Sequence, residues 1–470
     1  MEDNCAVILA AGEGTRMRSR KAKVLHSLLG RALVHYPVDL CRRLGVKRML
    51  VVVAHQAEEV QQALAGQPIE FVHQGEPKGT GHAVCQAEEH LRGFEGTVLV
   101  LAADTPLLRV ETVRQLIEAH HAGGAVATLL TARVAHPTAY GRILRDKQGR
   151  LRRIVEEVEA TEAEKQVSEI NAGVYCFAAA SLFEALGRVP VSPVKGEVFL
   201  PEVVQVLVQQ GQVVQAVLAA DATEVQGINT RAELAQAATV LRQRVHDRLM
   251  REGVTLIDPQ ATYIDDTVQI GLDTVIYPGV ILEGATTIGE GCVIYSNCRI
   301  QNSQLGEQVT VLDGSVIVGS EIAEGCVIGP FAHLRPQTRL KRKAKVGNFC
   351  EVKKAVIGEG SKVPHLAYIG DTQMGEKVNI GAGTITCNYD GFAKHETVIE
   401  DDVFVGSNTN LVAPVTVGKG AIIAAGSTIN EAVPPDAVAF GRAPQVNKEG
   451  RAAATRKKRE AMAPPKDDDD

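Results

Sequence analysis

From Ile270 onward a single interval governs the chain: an aliphatic residue returns at every sixth position. Ile270, Ile276, Leu282, Ile288, Ile294 and Ile300 are six apart, and the series resumes at Leu305, Val311 and Ile317, then at Ile322, Ile328, Leu334, Leu340, Val346 and Val352. It returns at Ile357, Val363 and Ile369, and again at Ile399, Val405, Leu411, Val417, Ile423 and Ile429. Six matches neither the 3.6-residue helix nor the two-residue strand. It predicts a hexapeptide β-helix, in which each hexapeptide is one short strand plus a turn and the aliphatic residue points inward. Three hexapeptides per coil give roughly ten coils, stacked at ~4.8 Å. Residues 254–430 hold 22 of the 44 glycines, as expected where many turns need unusual backbone angles. One stretch breaks the period: "GAGTITCNYDGFAKHET", between Ile380 and Ile399, is too long and too polar for it. A loop projecting from a regular solenoid is a natural place for function.

Residues 5–229 follow a different pattern. "AVILA", "MLVVVA" and "TVLVLAAD" read as buried strands separated by helical segments such as "ETVRQLIEAHHAG". That alternation predicts a mainly parallel, Rossmann-like α/β sheet with ligands beyond the carboxyl ends of its strands. Next, Thr230 and Glu233 form a capping box, and Leu234, Ala238, Leu241, Val245 and Leu249 recur at helical spacing until Gly253. The expected division is residues 1–229, a linker helix over 230–252, the β-helix over 253–441, and a C-terminal basic helix with a disordered acidic tail over 442–470.

Nine scattered cysteines, odd in number and never in a C-x-x-C pair, suit reduced thiols better than disulfides or zinc. No run approaches the ~20 apolar residues of a membrane span, and a net charge of -6 gives no sign of nucleic-acid binding. These features point to a cytoplasmic protein with small-molecule partners, no nucleic acid and no membrane.

After the first strand comes "AGEGTRMRSRKAKVLH". Gly12 and Gly14 begin G-x-G-x-x-G, but the sixth position is Met17, and the stretch is not G-x-x-x-x-G-K-[ST] either. A glycine-rich turn rich in cations after a buried strand suits a phosphate compound. Asp104 ends the third strand at the ligand-binding edge, where it is either a metal ligand or a turn former before Thr105 and Pro106.

"LAAGEGTRM…KVLH" resembles the sugar-nucleotide pyrophosphorylase signature. Joined to hexapeptide repeats carrying "NIGAGTITCNYDG" and "GRAPQ", the chain resembles the bacterial bifunctional N-acetylglucosamine-1-phosphate uridylyltransferases/glucosamine-1-phosphate N-acetyltransferases over nearly its whole length. The resemblance implies a nucleotidyltransferase domain followed by a left-handed β-helix, a homotrimer with acetyltransferase sites between subunits, and a product that serves peptidoglycan, lipopolysaccharide and other envelope pathways. It implies that backbone N–H groups from Leu9, Ala10, Ala11 and Gly12 to Gly14 hold the triphosphate, that Arg16 steadies the leaving pyrophosphate, and that Lys23 meets the transferred phosphate. Asp104 and Asn229 match the Mg2+ ligands; Gln74, Gly79 and Thr80 match the uracil-reading set; Gly141, Glu156 and Asn171 match the sugar contacts. In the second half His365 matches the general base, and Arg335, Lys353, Tyr368, Asn379 and Lys394 match the glucosamine-phosphate set. Asn388 and Tyr389, with Ala382, Ser407, Ala425 and Arg442, match the acetyl-coenzyme A contacts.

Four residues depart from the family pattern: Glu13 for a common Lys, Ala22 for Pro, Ala103 for Gly, and Pro364 for the Gly before the histidine. Ala103 is expected to bring a methyl group close to the sugar, and Pro364 to restrict the backbone beside His365. Two other functions compete with the bifunctional one: a monofunctional pyrophosphorylase with a structural β-helix, and a non-enzymatic regulatory assembly.

Overall fold

A computed structural model describes residues 3–135, 137–138, 140–192 and 196–463; the acidic end of the tail lies outside these. The chain divides into two compact units, Met1–Arg248 with Ile264–Thr267, and Leu249–Tyr263 with Val268–Asp470.

The first unit is built on one sheet, in the order Val214–Leu218, Ala127–Arg133, Glu169–Ala178, Thr97–Ala102, Asn4–Leu9, Arg48–Val53 and Glu70–His73. Only Glu169–Ala178 runs antiparallel to its neighbours along this path. Both faces are covered, so the strands read as continuous apolar runs rather than alternations. In Asn4–Leu9, Ala6 and Ile8 enter the core on one face while Cys5 and Val7 enter the core on the other. The helix Arg231–Arg251 follows, about 32 Å long at 1.5 Å per residue. Its capping box is formed: the Thr230 N–H donates to Glu233 Oε2 at 2.7 Å, and the Glu233 N–H returns to Thr230 Oγ1 at 3.2 Å.

The second unit is a left-handed β-helix of three parallel sheets with eleven, ten and nine strands. Val275 pairs with Val293, eighteen residues on, and Thr287 with Gln304, seventeen on. Every aliphatic position of the six-residue series is buried. Ile276, Ile294, Val311, Ile328, Val346 and Val363 stack as one interior ladder.

The expected glycines fill only some of the tight corners. Asn297, Phe331, Phe349 and Leu366 adopt the same left-handed conformation, which costs a side-chain-bearing residue ~1–2 kcal/mol. Part of that cost is offset by contact with the neighbouring coil. The Phe331 and Phe349 rings stack with centroids 5.5 Å apart and planes 4° from parallel.

The break in the period is a corner insertion. Ile385 pairs with Tyr368, seventeen residues earlier, and with Asn410, twenty-five later, so one coil carries eight extra residues. Asp390 organises the added segment by accepting the Phe392 and Ala393 N–H groups at 2.8 and 2.7 Å. These bonds, together with His395, hold its carboxyl well below the usual carboxylate range. Beyond the coils, Arg451–Met462 forms a fully exposed basic helix.

Ile317 stacks between Ile300 and Leu334 on the neighbouring coils and has no solvent exposure. Ile317→Ala is expected to destabilise the second unit by about 2–5 kcal/mol, read as a lowered midpoint in chemical denaturation followed by circular dichroism.

Candidate functional site

In the first unit the expected residues gather at the carboxyl edge of the sheet. A cavity of about 320 Å³ is lined by Leu9, Ala11, Gly12, Lys23, Gln74, Gly79, Thr80 and Asp104. Lys23 Nζ donates to Asp104 Oδ2 and, at 3.1 Å, to Asn229 Oδ1, so one ammonium joins three chain segments more than 80 residues apart. Two details hold it there. Gly14 adopts φ +66°, and a Cβ on it would lie 2.5 Å from Lys23 Cβ, so this turn requires glycine. The Ala22 N–H donates to Gln56 Oε1, a bond that proline could not make.

The phosphate donors are fewer than expected. The strand ladder extends past Leu9, and the Ala10 N–H is spent on the Val52 carbonyl at 2.9 Å, which leaves the turn from Ala11 onward to face an anion. Arg16 is exposed and does not line the cavity. The expectation for Ala103 is also corrected. Its side chain is buried in the core, whereas Ala102 lines the cavity, so the extra methyl group points away from the ligand.

Gln74 Nε2 donates to the Gly79 carbonyl at 3.1 Å, and Thr80 Oγ1 accepts the Leu200 N–H at 3.1 Å, so the two loops close one wall together. The sugar candidates form a separate group beside a β-bulge. A Cβ on Gly141 would sit 3.3 Å from Glu156 Oε1 and 3.6 Å from Asn171 Cβ. Asn171 is fixed by Nδ2 donating to the Tyr175 hydroxyl at 2.6 Å. Sequence reasoning missed Pro77, Glu197 and Phe199 in the cavity wall. Glu197 and Phe199 lie in a segment without a recognised motif, 26 and 28 residues beyond Asn171, and only tertiary folding brings them in.

Asp104 and Asn229 present one carboxylate and one amide oxygen, the hard donors that suit a divalent cation also held by phosphates and water. Among the described residues no cluster of three or more His, Cys, Asp and Glu side chains could hold a metal. The pair, bridged by Lys23, fits a metal that arrives with its anionic substrate.

In the second unit the coil repeat does the assembling. His365 and Asn348 are register partners, and His365 Nδ1 lies 2.8 Å from Asn348 Oδ1. With the amide oriented in this way, Nδ1 carries the proton and Nε2 keeps its lone pair. The same register column continues downward: the Leu366 N–H donates to the Asn348 carbonyl, the Asn408 N–H to that of Ala382, and the Gly426 N–H to that of Ser407. Ala382, Ser407, Ala425 and Arg442 therefore follow His365 one coil at a time, over roughly 19 Å at the strand spacing. The Pro364 carbonyl faces Gly347 across the coils, where a Cβ would lie 1.8 Å from it, so glycine is retained one coil before the proline.

On the adjoining face Arg335 Nη1 donates to Glu351 Oε1 at 2.8 Å, and Glu351 pairs in register with Tyr368. Lys353 lies against Lys394 and pushes it below the ordinary lysine value, because the Lys353 ammonium can donate to the neutral Lys394 amine and repels its charged form. Two adjacent ammonium groups are a pocket for phosphate charge. From the insertion, Asn388 is buried, and its Nδ2 donates to Asp371 Oδ2 at 2.6 Å and to the Tyr368 hydroxyl at 3.4 Å. Tyr389 is exposed, and its hydroxyl donates to the Gly391 carbonyl. Asn379 begins the next strand after the histidine coil, paired with Lys362. Asn348 and Asp371 were missed. Each lies seventeen residues from a recognised residue, His365 and Asn388, so reading one coil up or down would have found them.

Residues 6–170 match the MobA-like NTP transferase domain family, and residues 396–431 match the bacterial transferase hexapeptide (six repeats) family. The bifunctional protein GlmU of Trichlorobacter lovleyi is 48% identical over 451 residues, covering 96% of this chain and 98% of the relative. That of Geobacter metallireducens is 49% identical over 468 residues, and that of Listeria monocytogenes 48% over 452, each again covering 96% of this chain and 98% of the relative. With the nucleotidyltransferase sheet and the hexapeptide coils both matched in one full-length relationship, the chain belongs to the bifunctional GlmU family.

Proposed function

We propose that each unit carries one transferase centre built from the residues above. The chain is a bifunctional enzyme. It acetylates glucosamine 1-phosphate from acetyl-coenzyme A, then couples the product to UMP from UTP with release of pyrophosphate. The observation that carries the assignment of the centres is the presence of two separate clusters: Lys23–Asp104–Asn229 at the sheet edge, and His365 above a column of small residues.

In the acetyl half, His365 Nε2 accepts a proton from the amine as its nitrogen attacks the thioester carbonyl and the thiolate leaves. Asn348 holds the ring in the tautomer that makes Nε2 basic. Arg335, Lys353 and Lys394 hold the sugar phosphate, with Tyr368 and Asn379 beside it. Asn388 and Tyr389 frame the reacting centre, and the small side chains of Ala382, Ser407 and Ala425 let an extended thioester arm lie along the backbone toward Arg442.

In the uridylyl half, the sugar phosphate oxygen attacks the α-phosphorus, and the work is alignment and charge neutralisation. Asp104 and Asn229 would hold Mg2+, which would supply positive charge at the triphosphate. Lys23 releases those two oxygens and turns its ammonium to the transferred phosphate, while the turn from Ala11 to Gly14 offers N–H groups and Arg16 reaches the departing pyrophosphate. Gln74, Gly79 and Thr80 seat the uracil; Gly141, Glu156 and Asn171 seat the sugar. The assembly is a homotrimer in the cytoplasm.

Asp104→Ala is expected to lower pyrophosphate release by about 100-fold or more while sparing acetylation, and His365→Ala to do the reverse. Measuring both reactions on each variant checks this; loss of neither, or of both together, sinks the assignment. Because Lys353 depresses Lys394, the KM for glucosamine 1-phosphate should climb with pH before the ordinary lysine range is reached. Lys353→Met should move that climb to higher pH. Asn348→Asp, which places a carboxylate on the imidazole, should favour the imidazolium and shift the acidic limb of the acetylation kcat/KM profile upward. An unshifted limb would show that Asn348 does not touch the catalytic ring.

A further inference from the structure

The first unit holds a second cavity, of about 390 Å³, that shares no lining residue with the uridylyl cavity. Its wall carries six guanidinium groups, Arg31, Arg42, Arg43, Arg109, Arg244 and Arg248, against three carboxylates, Asp39, Glu111 and Asp266. Asp39 is committed to Arg31 and, at 2.7 Å, to Arg42, while Asp266 lies 3.6 Å from Arg31. Arg109 is held from outside the wall by Asp221 and Glu224, each at 3.4 Å. Among the described residues, Arg43, Arg244 and Arg248 have no carboxylate within ion-pair distance.

Arg244 is the most constrained of the three. Its Nη1 donates to the Leu107 carbonyl at 2.7 Å, but Nε and Nη2 are buried and have no hydrogen-bond partner. A guanidinium stays charged at any physiological pH, so two buried donors without an acceptor cost more than a hydrogen bond is worth. Burial and the neighbouring Arg109 charge both disfavour this cation. A neutral ligand leaves that imbalance in place, whereas an oxyanion satisfies the donors and offsets the charge. Tyr36, Leu40 and Leu241 complete the wall with apolar surface for the body of a small molecule.

We propose that this cavity is an oxyanion site that takes a phosphate group, free or as a phosphomonoester, on the guanidinium forks of Arg43, Arg244 and Arg248. It shares no lining residue with the uridylyl cavity. Through Arg244 it grips the Leu107 carbonyl, three residues beyond Asp104, so a bound anion bears on the segment that carries the metal-binding carboxylate.

The test is calorimetric titration of the full-length protein with inorganic phosphate. It is run in saturating UDP-N-acetylglucosamine and Mg2+ so that the uridylyl cavity is filled, and compared among wild type, Arg43→Met and Arg244→Met. Wild type should show a phosphate-binding phase that Arg43→Met weakens at least tenfold and Arg244→Met removes, with both transferase rates of Arg43→Met unchanged. Arg43 is exposed, so its variant is decisive even if Arg244→Met fails to fold. Glucose 6-phosphate competing for the same phase identifies a phosphomonoester as the ligand, and failure to compete identifies free phosphate. Superimposable phosphate isotherms for wild type and Arg43→Met would overturn the proposal.

Discussion

The second unit depends on one constraint: each coil hydrogen-bonds only to the coils above and below it, at a register of seventeen or eighteen residues outside the insertion and the last coil. Inward positions then hold stacked aliphatic residues, and outward positions hold stacked polar ones. The candidate acetyl site is the outward counterpart of the core ladder. Asn348 meets His365, Glu351 meets Tyr368, and Asp371 meets Asn388 because each pair is one coil apart. A solenoid makes a site from residues that are neither sequence neighbours nor brought together by a long-range fold.

The first unit works by convergence. Asp104 follows a central strand, Asn229 precedes the long helix, and Lys23 lies in the turn after the first strand, yet one ammonium satisfies both oxygens. That ion pair neutralises the carboxylate and fixes the ammonium at the cavity wall. The two departures nearest this cluster are both accommodated. Ala22 supplies an N–H to Gln56 where proline has none, and Ala103 turns its methyl group into the core.

The period of six made the β-helix legible because burial recurs at a spacing no other element produces, and all of its aliphatic positions are interior. The parallel sheet was legible from apolar runs too continuous for a half-exposed strand. What sequence reading lost has physical causes. The Ala10 N–H was counted as a phosphate donor because strand ends cannot be set to the residue, and the ladder in fact reaches it. The side-chain direction at Ala103 depends on strand register, which composition does not reveal. Glu197 and Phe199 enter the wall from a segment without any motif. The left-handed corners at Phe331, Phe349 and Leu366 went unnoticed because such backbone angles were sought only at glycines, whereas the two phenylalanine rings stack on one another from successive coils.

The eight-residue insertion shows what this architecture permits. Pairing resumes on its far side with the same partners' spacing, Asn410 to Thr428. The disturbance is therefore confined to a single corner. In a globular core an added segment of that length would displace neighbours on several sides. Here it behaves like a branch on a stem, and Asn388 at its root has simply been drawn back against the trunk. A repeat of this kind can acquire chemistry by local grafting, one corner at a time, without renegotiating the packing of any other coil.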